Sequence, residues 1–252
     1  LEWVKPKDKK EQRAKDVTKK TKSSPSTSKA IPESSDDDID LNPEQKRFVN
    51  ASNFGLICKA KRTNKLKYIA KVIYDPKERT NRANTYSSEF RKAALEAYKN
   101  ECNKRCVPAS LVIHRNQFLA GSPDFFMEKN GIALIKCPYS IKDEHPQEAI
   151  KSGLLECCNK RSGKLLKTHD YHYHIQGLLA ITEKDWCDFV IYTKKGEKIE
   201  RIERDERFWK MMLPKLSRFY EDYLKCNADN FRGKKINILQ NGLINNVDYY
   251  KP

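Results

Sequence analysis

The chain has 252 residues, with 50 Lys and Arg against 34 Asp and Glu, and its formal net charge of +16 goes with a pI of about 9.4. An excess of that size attracts polyanions without saying which. No apolar run reaches membrane length and no signal-peptide pattern is present, so a membrane-free, reducing setting is expected, nucleus or cytoplasm, with the basic N-terminus favouring the nucleus.

Residues 1–30 hold ten Lys and Arg against four acids, include Ser23-Ser24-Pro25-Ser26-Thr27-Ser28, and lead into Asp36-Asp37-Asp38. Lacking apolar periodicity, residues 1–41 read as a disordered linker, basic and then acidic. A start at Leu1 is that expected of a piece of a longer protein. Residues 42–225 form one domain, long enough for a substantial core, and 226–252 a C-terminal tail. Within the domain, Phe90, Ala93, Ala94, Ala97 and Tyr98 recur at helical spacing and predict an amphipathic helix over 88–103. Leu111-Val112-Ile113 reads as a short strand, a helix is expected near Gln147 to Cys158, and another from about Tyr171 to Ile181. Strands Phe189–Tyr192 and Lys198–Ile202 join through Lys195-Gly196. Phe208, Trp209, Met212, Leu216, Phe219, Tyr220 and Tyr223 then mark a helix over 205–225 whose aromatic rows are core. The pattern is α/β, a mixed sheet flanked by helices.

The centre of the domain carries the chemistry. Phe125-Phe126-Met127 and Ile132-Ala133-Leu134-Ile135 are short runs of strand formers, and Glu128-Lys129-Asn130-Gly131 between them offers Asn-Gly for a tight turn, so a β-hairpin is expected. Asp124 opens the first strand and Lys136 ends the second, which closes them on each other. Residues two apart in a strand share a face, putting Leu134 beside Lys136. Hydrolysis of phosphodiesters calls for two or more carboxylates there, since Mg2+ and Mn2+ prefer oxygen ligands, together with a lysine. One carboxylate and the lysine are present. Taken alone, the hairpin more simply suits a turn-capping Asp124 and a solvated edge Lys136.

Other blocks follow in order: Gly121-Ser122-Pro123-Asp124, Ile135-Lys136-Cys137-Pro138-Tyr139, Tyr173-His174-Ile175-Gln176-Gly177-Leu178-Leu179-Ala180-Ile181-Thr182, and Trp186-Cys187-Asp188-Phe189-Val190-Ile191-Tyr192-Thr193. Ala51-Ser52-Asn53-Phe54-Gly55 precedes them, and Ile199-Glu200-Arg201-Ile202 and Asp205-Glu206-Arg207-Phe208-Trp209 come after. Over about residues 44 to 225 this order resembles the YqaJ-like viral recombinase family, relatives of phage lambda exonuclease in the PD-(D/E)xK nuclease superfamily. The resemblance implies that fold and places Asp124 as the metal-binding aspartate, Lys136 as the catalytic lysine and Gln176 as a glutamine on a helix beside them. It also implies DNA contacts for Ser52, Asn53, Ser122, Tyr173 and His174. Leu134 stands where the family has its second metal-binding glutamate. Aligning Tyr98 and Ala94 puts Arg91 at a third carboxylate position. Each helical residue turns about 100°, so Glu89 and Glu96 point well away from Arg91, and Glu128 lies near the hairpin turn.

The resemblance therefore supports two functions. One is a nucleic-acid-binding protein with an impaired nuclease site, needing no metal; the other is an active DNA exonuclease using Mg2+ or Mn2+, with Glu89, Glu96 or Glu128 as a displaced ligand. A purely structural role is a third reading. DNA, as duplex ends or single strands, is the expected partner. The family implies a ring-shaped trimer, although no motif here sets an oligomer interface. Leu1-Glu2-Trp3-Val4-Lys5-Pro6 resembles the stretch that follows a SWIM-type zinc finger in eukaryotic relatives.

Eight cysteines invite a metal reading, but their spacing lacks paired CxxC motifs: Cys102 and Cys106 are four apart, Cys157 and Cys158 adjacent, and Cys58, Cys137, Cys187 and Cys226 isolated. Buried free thiols are expected. His169, His172 and His174 cluster before Gln176, where polar cleft lining is expected in preference to zinc.

Overall fold

Gly131–Lys136 is buried along its whole length, as a central strand covered on both faces must be, and its unbroken apolar run Ile132 to Ile135 follows from that position. The computed structural model describes residues 47–74, 82–102 and 106–225; the expected linker over 1–41 and tail over 226–252 lie outside them. In chain order the elements are β1 (Val49–Asn50), α1 (Phe54–Lys59), α2 (Thr63–Tyr74), α3 (Arg82–Cys102), β2 (Cys106–Pro108), β3 (Val112–Ile113), β4 (Leu119–Gly121), β5 (Phe125–Met127), β6 (Gly131–Lys136), α4 (Pro146–Ser152), α5 (Asp170–Thr182), β7 (Trp186–Thr193), β8 (Gly196–Glu203) and α6 (Glu206–Tyr223).

Strands β2-β5-β6-β7-β8 form a mixed five-stranded sheet in which only β6 and β7 run parallel, and β1-β4-β3 form a smaller sheet. The expected hairpin is β5–β6, paired Phe125 to Ala133 and Met127 to Gly131. Its turn needs left-handed backbone at Lys129 and Asn130, with φ of 56° and 64°, a conformation asparagine tolerates. Alternation along β6 divides the core. Ile132 and Leu134 meet Ile175, Leu178, Phe189 and Ile191 on the α5 face, whereas Ala133 and Ile135 meet Tyr98, Ala94 and Val190 on the α3 face.

The two strands expected at Phe189–Tyr192 and Lys198–Ile202 lengthen to β7 and β8, and two helix boundaries move. The helix placed near Gln147 to Cys158 is α4 and stops at Ser152, because Gly153 takes a left-handed C-cap (φ 81°) whose N–H bonds the carbonyls of Ala149 and Ile150. The helix over 88–103 begins earlier, at Arg82. On the α3 face of the sheet, Asp188 of β7 is buried yet fully paired: Arg201 donates to both its oxygens at 2.8 and 2.9 Å and the Tyr98 hydroxyl donates at 3.0 Å. Arg201 in turn stacks on Trp186, its guanidinium 3.6 Å from the ring centre.

Candidate nuclease-type site

Asp124 precedes β5, one residue before the Phe125–Ala133 pair, so its register partner is Leu134. Its backbone is held on both sides: its N–H donates to Ala133 O at 2.9 Å and its carbonyl accepts from Ala109 N–H at 3.1 Å. That fixed backbone aims a side chain only 2% exposed at two donors. Oδ2 accepts the Ile135 N–H at 2.6 Å, and Oδ1 accepts from the Arg91 guanidinium, which reaches across from α3. Burial pushes the carboxyl above its ordinary pKa, while Arg91 and the Ile135 N–H draw it back down. The Arg91 guanidinium gives the buried carboxylate its counter-charge.

Lys136 ends β6, is 3% exposed, and carries its Nζ 5.2 Å over the ring of Tyr171 in the first turn of α5. One turn further along α5, His174 is buried next to the same charges. Burial, then Lys136 and Arg91, hold its imidazole well below its usual pKa, and it is neutral at physiological pH. Asp124, Arg91, Lys136 and His174 thus form one cluster, roofed by Tyr171. Two buried thiols stay protonated at its edge: burial raises Cys137 to about 11 and lifts Cys187 well above its normal value.

Gln176, on the same helix, makes its hydrogen bonds away from Asp124 and Lys136. Two residues beyond His174 on a helix it points to another side. There its Nε2 donates to Glu203 O at 2.9 Å and its Oε1 accepts the Asp205 N–H at 2.8 Å, clamping the β8–α6 junction. Tyr173 likewise faces α6, its ring edge-on to Phe208 at 4.9 Å. The three histidines diverge. His169 caps α5, its Nδ1 accepting from Tyr171 N–H at 3.2 Å, His172 packs on Phe208, and only His174 enters the cluster. The helical offset of three from Tyr171 to His174 was the signal that would have selected His174 over Gln176.

The other expected contacts lie at the small sheet. β1 and β4 run parallel with Asn50 beside Ala120, so Ser52 and Ser122 leave the same end of adjacent strands. Ser52 is tied back, its N–H and Oγ both donating to Asn50 Oδ1 at 3.1 and 3.0 Å, Asn53 is buried, and Ser122 is exposed. Glu89, Glu96 and Glu128 are all exposed on the surface. Among the described residues, no three His, Cys, Asp or Glu side chains gather where they could hold a metal ion. A hard divalent cation needs several oxygens; here Leu134 faces Asp124, a cation is bound to one carboxylate oxygen, and the donors among the described residues do not fit Mg2+ or Mn2+. The cysteines among the described residues are free thiols, buried except for the partly exposed Cys106; the side chain of Cys102, and Cys226, lie outside them.

No protein-family model and no curated protein matches the sequence. Solved structures do match in fold. An alkaline exonuclease (LHK-Exo) from Laribacter hongkongensis superposes with a TM-score of 0.56 at 22% identity, over 74% of this chain and 92% of that one. Its complex with dAMP gives 0.56 at 23% identity over the same shares. The chain has a lambda-exonuclease-like nuclease fold. Within that fold, the strand pair β5–β6 and the helices α3 and α5 on its two faces are the elements that bring Asp124, Arg91, Lys136 and His174 together. Among the described residues no helix is long and apolar enough to cross a membrane.

Proposed function

We propose that this nuclease-fold protein binds DNA without cutting it, an internal ion pair standing where a nuclease would hold its metal. The observation that carries the reading is Arg91 bound to the buried Asp124 carboxylate while Leu134, 2% exposed, fills the register position opposite. A divalent ion arriving there would have to displace a guanidinium, and would find one carboxylate. The net charge of +16 supports a polyanionic partner, and the dAMP complex of the Laribacter hongkongensis exonuclease supports a nucleotide-accepting cleft in this fold. DNA ends or single strands are the partners proposed; Mg2+ or Mn2+ belongs only to the alternative of an active exonuclease, whose missing ligand would have to come from exposed Glu89, Glu96 or Glu128.

The test pairs binding with cleavage. The chain should retard DNA at low salt and release it steeply as salt rises, while linear duplex incubated with Mg2+ or Mn2+ keeps its length, with Asp124→Ala behaving identically. Divalent-dependent shortening that Asp124→Ala abolishes would establish the active enzyme instead.

A further inference from the structure

Residues 59–74 contain six Lys and Arg and no Asp or Glu. In a chain with 34 acids this is a local concentration of positive charge, and the fold gives it one direction. Helix α2 buries Ile69 and packs Leu66, Ala70 and Ile73 against the core. At about 100° per residue those four occupy one side, Asn64, Tyr68 and Lys71 fall on the opposite side, and Lys65 and Lys67 stand at its two flanks. Lys65, Lys67 and Lys71 are exposed, and among the described residues none of them forms an ion pair. Tyr68 is 44% exposed in their midst, a large aromatic ring left in water.

Position adds to composition. α2 follows α1, whose last residue Lys59 pairs with Asp170 at the start of α5 at 2.5 Å. The next residue, Tyr171, is the ring over which Lys136 sits. The basic helix is thus joined through one ion pair to the helix end that roofs the Asp124 cluster.

We infer that the outward face of α2 is a docking surface for the DNA backbone, in which Lys65, Lys67 and Lys71 meet phosphates and Tyr68 offers a stacking face to an unpaired base. This rests on the DNA-binding reading and assigns the surface that does the binding. Spaced cations with an interleaved aromatic suit a polyanion carrying bases: the cations gain affinity by releasing condensed counterions, and a ring stacks on any base without regard to sequence.

Lys65→Ala/Lys67→Ala/Lys71→Ala in the full chain is compared with Lys160→Ala/Arg161→Ala/Lys164→Ala, which removes the same charge from the exposed α4–α5 loop. Alanine favours helix, so the α2 variant keeps its fold, and equal melting temperatures verify this. Duplex affinity is measured against salt. The α2 variant should lower the slope of log affinity against log salt by about 2 to 3 and weaken binding at least tenfold at low salt, the loop variant by clearly less. Tyr68→Ala should weaken single-strand binding about tenfold and leave duplex binding nearly unchanged. Equal losses in the two triple variants, or no loss in the α2 variant, would overturn the assignment while DNA binding itself stands. A parent chain that does not bind DNA at all would instead overturn the proposed function beneath it.

Discussion

Arg91→Ala is the perturbation whose size follows most directly from the geometry. It leaves the Asp124 carboxylate, in a side chain 2% exposed, resting on the Ile135 N–H at 2.6 Å. The charge then has two routes. It can stay, and a buried pair broken by removing one partner costs about 3–5 kcal/mol. Or the carboxyl can take up a proton, which from its ordinary value of 3.8 costs about 4 kcal/mol at pH 7, at about 1.4 kcal/mol per pH unit. Protonation therefore sets the ceiling. Arg91 itself is 31% exposed, so water enters part of the vacated space and lowers the figure; the expected loss is about 2–4 kcal/mol at pH 7. The sign with pH is fixed. A carboxyl whose folded pKa is raised contributes its full stability below the unfolded value and loses it as pH rises through the folded one. The deficit of the variant relative to the parent must then shrink on acidification, to under about 2 kcal/mol at pH 5. Urea unfolding followed by tryptophan fluorescence at pH 5 and pH 7 measures both differences. A variant within about 0.5 kcal/mol of the parent at pH 7, or one with the same deficit at both pH values, would show that Arg91 is not the counter-charge of a buried carboxylate.

Two further predictions concern α5. Its buried His174 has a depressed folded pKa, so stability is fully present above the ordinary value of 6.5 and is lost as pH falls below it; His174→Gln should flatten the loss between pH 6.5 and 5 by up to about 1.4 kcal/mol per pH unit, and parallel curves for parent and variant would contradict the placement. Gln176→Ala should destabilise by about 2–4 kcal/mol by orphaning Glu203 O and the Asp205 N–H, yet leave DNA affinity of the folded protein unchanged; a stable variant that loses DNA binding would return Gln176 to the site.

The hairpin was legible because strand formers, an Asn-Gly turn and period-two alternation all agree at Phe125–Ile135. The meeting of Arg91 with Asp124 lay within reach too, since the offset from Ala94 and Tyr98 fixes one face of α3 and both of those residues are fully buried. The choice between His174 and Gln176 was less accessible. Both are polar, they stand two apart, and which one faces Lys136 depends on the rotation of α5 against β4 and β7, set by Leu178 and Ile175 in the core and by the absence of a side chain at Gly177, where a Cβ would come within 2.4 Å of the Phe54 ring. Helix α2 also escaped sequence reading: its core-facing set is four residues with Ala among them and only Ile69 buried, and the lysines between them blur the period. The strands β2 and β4 have three residues each, too short for alternation to register.

The most direct test is Mn2+ binding, measured by calorimetry and by electron paramagnetic resonance, for the natural chain, Leu134→Glu, and Leu134→Glu/Arg91→Glu. The ion-pair account predicts no bound Mn2+ in the natural chain and little in Leu134→Glu, where Arg91 neutralises the added carboxylate. The double variant assembles three carboxylates with Lys136 and should bind one ion per chain. One Mn2+ bound by the unmodified chain and released by Asp124→Ala would contradict it.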